Sequence, residues 1–106
     1  MDTKDRVNWA FRKLRQAGYF AKQNFWCCQS CGWAAVPDEK ADRVVFYHHQ
    51  DNASWGGGRE LVSPLHLAWC GDGNEIVSIL ESCGLTAEWN GREESRVMIV
   101  PEKAVG

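Results

Sequence analysis

Apolar positions along the chain recur with two periods. From Asp2 to Gly18, Val7, Ala10, Phe11, Leu14, Ala17 and Gly18 follow the i, i+3, i+4, i+7 spacing of a helix with one buried stripe. Asp2 or Thr3 can cap its start, and Gly18 suits the left-handed residue just past its end. Trp9 falls on the opposite side of the wheel, among Arg6, Arg12, Lys13 and Gln16. Tyr19 to Trp26 reads as extended and leads into Cys27-Cys28-Gln29-Ser30-Cys31-Gly32-Trp33; a turn follows at Val36 to Lys40. Arg43 to His49 is rich in β-formers and reads as a strand, with Val44, Phe46 and His48 on one face and Val45, Tyr47 and His49 on the other. Asp51 to Arg59 reads as a loop around Gly56-Gly57-Gly58. Glu60 to Cys70 returns as a second strand, broken or at an edge where Pro64 lacks an N–H.

A second helix is predicted after Asp72, with Glu75 at capping-box spacing and a stripe of Ile76, Val77, Leu80 and Cys83 that Gly84 ends. Leu85 to Trp89 and Arg96 to Val100 give two short strands, joined through Asn90-Gly91 by more than a two-residue turn. Hairpins rather than crossovers imply α+β: a mainly antiparallel sheet of four to five strands with two amphipathic helices packed on it. Val44, Phe46, Leu65 and Leu67 are expected to share one sheet face, beneath Val7/Phe11/Leu14 and Ile76/Leu80/Cys83.

With 106 residues and no linker or repeat, residues 1–106 read as a single domain. The polar start reads as no signal peptide and no apolar run reaches a membrane span, so a cytoplasmic protein is expected. Five cysteines, an odd number, suit reduced thiols better than a disulfide framework. A net charge of −2 argues against dedicated nucleic-acid binding. That charge is uneven: residues 1–24 carry six basic and two acidic side chains, the remainder six and twelve. The basic helix face of Trp9, Arg6, Arg12 and Lys13 is therefore the candidate surface for a protein partner.

Cys28-Gln29-Ser30-Cys31-Gly32 carries the most definite chemistry. Two thiolates two residues apart can hold one tetrahedral ion, and the glycine eases the turn. Cys28, Cys31, His48 and Cys27 are the candidate ligands of a Zn2+ site, with Cys70 and His66 as further choices. Cys83 reads as a small core hydrophobe. Two other uses of the motif are open to it. Trp26 ahead of the pair resembles the thioredoxin arrangement, but no βαβ unit precedes it. His48 could serve Cys28 or Cys31 as a general base in a thiol enzyme or redox sensor.

Asn24-Phe25-Trp26-Cys27-Cys28-Gln29-Ser30-Cys31-Gly32, followed by Val45-Phe46-Tyr47-His48-His49-Gln50-Asp51, resembles a bacterial domain-of-unknown-function family. That family carries a Phe-x-Cys-Cys-Gln-x-Cys-Gly block and then a Tyr/Phe-His-Gln-Gln-Asp block. Gly84-Leu85 and Glu88-Trp89-Asn90-Gly91 resemble its C-terminal part. His49 departs from the family's glutamine, and Cys70 intrudes between Trp69 and Gly71. The resemblance implies that Cys27, Cys28, Cys31, His48, Gln50 and Asp51 form one constellation, and it implies no activity. The reading is a non-catalytic protein-binding module whose Cys/His cluster is structural. The alternatives are the thiol enzyme or sensor and a phage or mobile-element accessory protein that inhibits a host factor.

Overall fold

The computed structural model describes residues 2–26, 29–40 and 42–101. It is an α+β fold in which a five-stranded, mostly antiparallel sheet carries helices on both faces. Helix α1 spans Thr3–Gln16. Asp2 caps it by accepting from Asp5 N at 2.8 Å, and the predicted stripe of Val7, Ala10, Phe11 and Leu14 is buried. Such a cap contributes about 0.5–2 kcal/mol. Gly18 adopts the left-handed φ of +96° expected beyond the helix end. Strand β1 (Phe20–Lys22) is followed by helix α2 (Gln29–Ala35) and a 3-10 turn at Asp38–Lys40. Next come β2 (Val44–Phe46), a 3-10 segment at His49–Trp55 and β3 (Leu65–Cys70), which starts directly after Pro64. Helix α3 (Gly73–Ser82) is capped by the Asp72 side chain, which accepts from Glu75 N at 3.2 Å. The chain closes with β4 (Thr86–Glu88) and β5 (Val97–Val100).

The strand order is β1-β2-β3-β5-β4. β1 and β2 run parallel, joined through α2, where hairpins alone were expected; the other pairs are antiparallel. The unforeseen crossover follows from α2, whose seven residues QSCGWAA offer too little apolar periodicity to register as a helix.

The sheet has two unlike faces. One meets α1 and α3: Val45, Tyr47, Leu65, Leu67, Trp69, Val97 and Ile99 pack with Val7, Phe11, Leu14, Ile76, Leu80 and Cys83. The other meets α2: Val44, Phe46 and Ala68 pack with Val36, Phe20, Phe25, Trp33 and Cys70. This corrects the expected face of β2. Val45 pairs with Trp69 and Phe46 with Ala68, so the register places Val45, not Val44 or Phe46, beside Leu65 and Leu67. Every residue of β2 is buried, and a strand covered on both faces carries no alternation to show which side meets which helix.

Arg43 joins the two helix ends on the first face. It donates to Ala17 O at 3.0 Å and to Glu75 Oε1 at 2.6 Å while its guanidinium lies over the Tyr19 ring. Burial and the neighbouring Glu75 together push the Tyr19 phenol above its ordinary value.

Candidate functional site

Beyond the last ladder pair, the chains of β1 and β2 run on side by side. Phe25 N donates to Tyr47 O at 2.8 Å, and His49 N donates to Trp26 O at 2.8 Å. Along this stretch Asn24 (φ +51°) and Trp26 (φ +64°) adopt the left-handed region. Asparagine tolerates this left-handed region through local hydrogen bonds. A bulky residue held there costs about 1–2 kcal/mol. Asn24 Oδ1 accepts from Asn52 Nδ2 at 2.7 Å and lies 3.2 Å from His49 Nδ1. The Trp26 indole is left 56% exposed.

His48 and His49 part as alternation requires. His49 is exposed within the asparagine network. His48 is 7% exposed, at the start of the 3-10 segment, with extended backbone (φ −102°, ψ 175°). Alternation therefore carries from Val44 and Phe46 to His48, on the α2 side of the sheet. Asp51 folds back on it. One carboxylate oxygen accepts from His48 N at 3.2 Å and lies 3.4 Å from Nε2, while Asp51 N donates to His48 O at 3.0 Å. His48 Nδ1 is buried with no hydrogen-bond partner. Leaving such a group unsatisfied ordinarily costs about 1–3 kcal/mol.

Of the candidate ligands, Cys27 and Cys28 lie outside the described residues. Cys31 is exposed, in the first turn of α2. The helix comes so close to β2 beside it that a Cβ on Gly32 would stand 2.5 Å from the Phe46 ring. Cys83 is a buried core residue of the α1/α3 face, as its stripe predicted. Cys70 packs half-buried against the second-face cluster. His66, on β3 opposite Met98, lines an open groove of about 780 Å3 with Glu88, Trp89, Arg96 and Met98. No three His, Cys, Asp or Glu side chains among the described residues are grouped to hold an ion.

The candidate partner surface divides. Trp9 is 40% exposed, with Lys13 Nζ 4.7 Å from its ring centroid, and Arg12 stands exposed beside them. Lys13 also reaches Ser82 Oγ at 3.5 Å across the α1–α3 seam. Arg6 turns to the end of α3, where a Cβ on Gly84 would lie 3.5 Å from its Nε. Sequence reasoning missed the Asn24–His49–Asn52 network, which joins residues 25–28 positions apart. It also missed the clamp in which Arg59 pairs with Asp2 and Asp5 while Glu60 accepts from Thr3. The i, i+3 spacing of His48 and Asp51 was the one local signal for their pairing.

An α+β sheet with helices on both faces and two histidine environments at one strand end defines the class. The chain belongs to the Domain of unknown function (DUF6891) family, whose model matches residues 1–103. No curated protein and no solved structure matches it. Among the described residues, no helix is long and apolar enough to cross a membrane.

Proposed function

We propose that this domain is a protein-binding module that docks an acidic segment of its partner on the outer face of α1. The observation that carries this reading is Trp9: a large aromatic side chain, 40% exposed, lying under the Lys13 ammonium and next to Arg12. Tryptophan and arginine dominate interface energetics because they bury much area at small entropic cost. The positive field matches an acidic partner, since residues 1–24 carry six basic and only two acidic side chains. A reducing cytoplasmic setting and a bacterial source belong to the same reading, as does the kinship of the Cys-Cys-Gln-Ser-Cys-Gly and Tyr-His-His-Gln-Asp blocks.

NMR with 15N-labelled protein tests it, since each tryptophan indole N–H gives its own resonance. Titration with poly-L-glutamate is expected to move the Trp9 resonance first, in a salt-sensitive way, and poly-L-lysine to leave it still. Arg12→Glu with Lys13→Glu should abolish the response. A Trp9 resonance indifferent to the polyanion overturns the reading.

A second reading, a thiol enzyme or sensor, is favoured by the His48–Asp51 pair. An imidazole held at Nε2 by a carboxylate keeps Nδ1 as the basic atom, which could take a proton from Cys28 or Cys31. That reading requires one cysteine to alkylate fast at neutral pH.

A further inference from the structure

Burial along β5 alternates: Val97 and Ile99 enter the α1/α3 core, while Met98 and Val100 are half-buried on the other side of the sheet. The register draws one row across that side. His66 of β3 and Glu88 of β4 each stand opposite Met98, so the row runs imidazole, thioether, carboxylate. These three floor the groove of about 780 Å3, with Trp89 and Arg96 beside them. Among the described residues, the side chains of His66 and Glu88 are neither hydrogen-bonded nor ion-paired.

The row is complementary to itself. Neighbouring strands lie about 4.8 Å apart, so His66 and Glu88 flank Met98 at matching distances. A two-fold axis running along β5 above Met98 brings the imidazole of each copy opposite the carboxylate of the other, and Met98 opposite its own copy. An isologous contact demands this kind of symmetry. Methionine, adaptable in shape, suits the centre of such a contact.

The step in the molecule fits the same axis. α2 rises over the β1–β3 side through Gly32 and Trp33, whereas the groove leaves the β5–β4 side open. A helix is about 10 Å across, and two sheets stack about 10 Å apart. The rotation therefore seats α2 of each copy beside the β4 edge of the other, covering backbone groups that a sheet edge leaves unpaired. Arg96, two residues before Met98, falls near the axis. It lines a second cavity with Glu93 and Glu94, so each guanidinium arrives among carboxylates and not against its copy alone.

We infer that this face is a homodimer interface, in which two copies of the chain stack sheet on sheet through β3, β5 and β4. Met98 is at its centre, and a His66–Glu88 contact lies on either side. The strands of the two copies are aligned to within about 30°. The inference is independent of the α1 docking surface, which lies across the sheet and stays free in the dimer.

Sedimentation equilibrium of the full chain tests it. The wild type is expected to pass from one chain mass to two as its concentration rises from micromolar to millimolar. Met98→Lys, which sets two ammonium groups face to face, should hold it at one. His66→Glu sets carboxylate against carboxylate, and Glu88→Lys sets ammonium against imidazole, so each should weaken association by at least about tenfold. Mixed in equal amounts, those two variants should pair with each other, because each then carries the complement of the other on both sides of the axis. Circular dichroism checks the fold of every variant. Should one fail to fold, hydrogen exchange of the wild type reports the same face, since the β4 amides should gain protection as concentration rises. A wild type that keeps one chain mass at millimolar concentration overturns the inference and leaves the groove to another kind of partner. A dimer that Met98→Lys leaves intact overturns it too, as do folded His66→Glu and Glu88→Lys proteins that stay single when mixed, or β4 amides indifferent to concentration.

Discussion

The two faces of the sheet solve the same burial problem differently. On the α1/α3 face, two helices with regular stripes lie over strand residues that are mostly aliphatic, with Tyr47 and Trp69 among them, giving a continuous core from Val7 to Ile99. On the other face, the short α2 covers only the β1–β3 side with an aromatic cluster: Trp33, Phe25 and Phe46 meet edge to face, their centroids 5.2 and 5.6 Å apart. Over β5 and β4 that face stays open as the groove by His66, Glu88 and Met98. The first face is built for stability. The second leaves room for polar side chains: His48 with Asp51, the half-buried Cys70 and the groove by His66 lie on that side.

Core truncations give the sharpest test of this contrast. Phe11→Ala, in the middle of the continuous core, is expected to cost about 3–5 kcal/mol, read from urea unfolding. Phe46→Ala removes an equally buried ring, but half-buried neighbours such as Phe20, Phe25 and Trp33 can move into the space. Its cost should lie near the lower end, about 3 kcal/mol. A greater loss for Phe46→Ala than for Phe11→Ala would reverse the ranking of the two faces.

Gly32 sharpens the comparison from the helix side. A Cβ there would stand 2.5 Å from Phe46 Cε2, so Gly32→Ala must displace the ring or lift α2. Overpacking of this kind costs about 1–3 kcal/mol, against which alanine returns about 1 kcal/mol of helix propensity. The net effect is a modest loss of stability. Combining it with Phe46→Leu, which makes room, should cost less than the sum of the single changes. Strict additivity in the double-mutant cycle would mean that α2 does not bear on β2 through this contact.

The same contrast explains what the sequence made legible. Val7, Phe11 and Leu14 keep helical period, and Leu65, Leu67 and Trp69 alternate, because each element meets water on its other side or at its ends. The α+β class, the helix caps at Asp2 and Asp72 and the burial of Cys83 followed from those patterns. β2 is buried on both sides, so its sequence Val44-Val45-Phe46-Tyr47 did not reveal which residues meet which helix. Helix α2 was hidden for a related reason: it meets β2 through Gly32 and Trp33, while Cys31 and Ala34 are exposed, so no apolar stripe marks it. At the site, the family resemblance put His48 and Asp51 in one constellation. Their geometry, the opposite fate of His49 and the Asn24–Asn52 link depend on tertiary pairing of β1 with β2. No local pattern encodes that.

The smallest expected effect concerns the start of α1, on the first face alone. Arg59 bonds Asp2 and holds its carboxyl below the usual range, helped by the Asp5 N–H. The Thr3 hydroxyl and N–H do the same for Glu60. A carboxyl whose folded pKa is depressed contributes stability that is present above its unfolded value and is lost as pH falls through the folded one. Above about pH 5 both groups are ionised whether the chain is folded or not, so this contribution is complete. Below about pH 4 the unfolded chain takes up protons that the folded clamp resists, and the advantage fades. Both groups are solvent-exposed, so salt should shrink the effect. Glu60→Gln is therefore expected to melt slightly below wild type at neutral pH, with the gap closing as pH falls below about 4, where wild-type Glu60 loses its own charge. Melting curves of the two proteins at several pH values decide the matter. A gap that stays constant from neutral to acid pH would show that Glu60 holds α1 by something other than its charge.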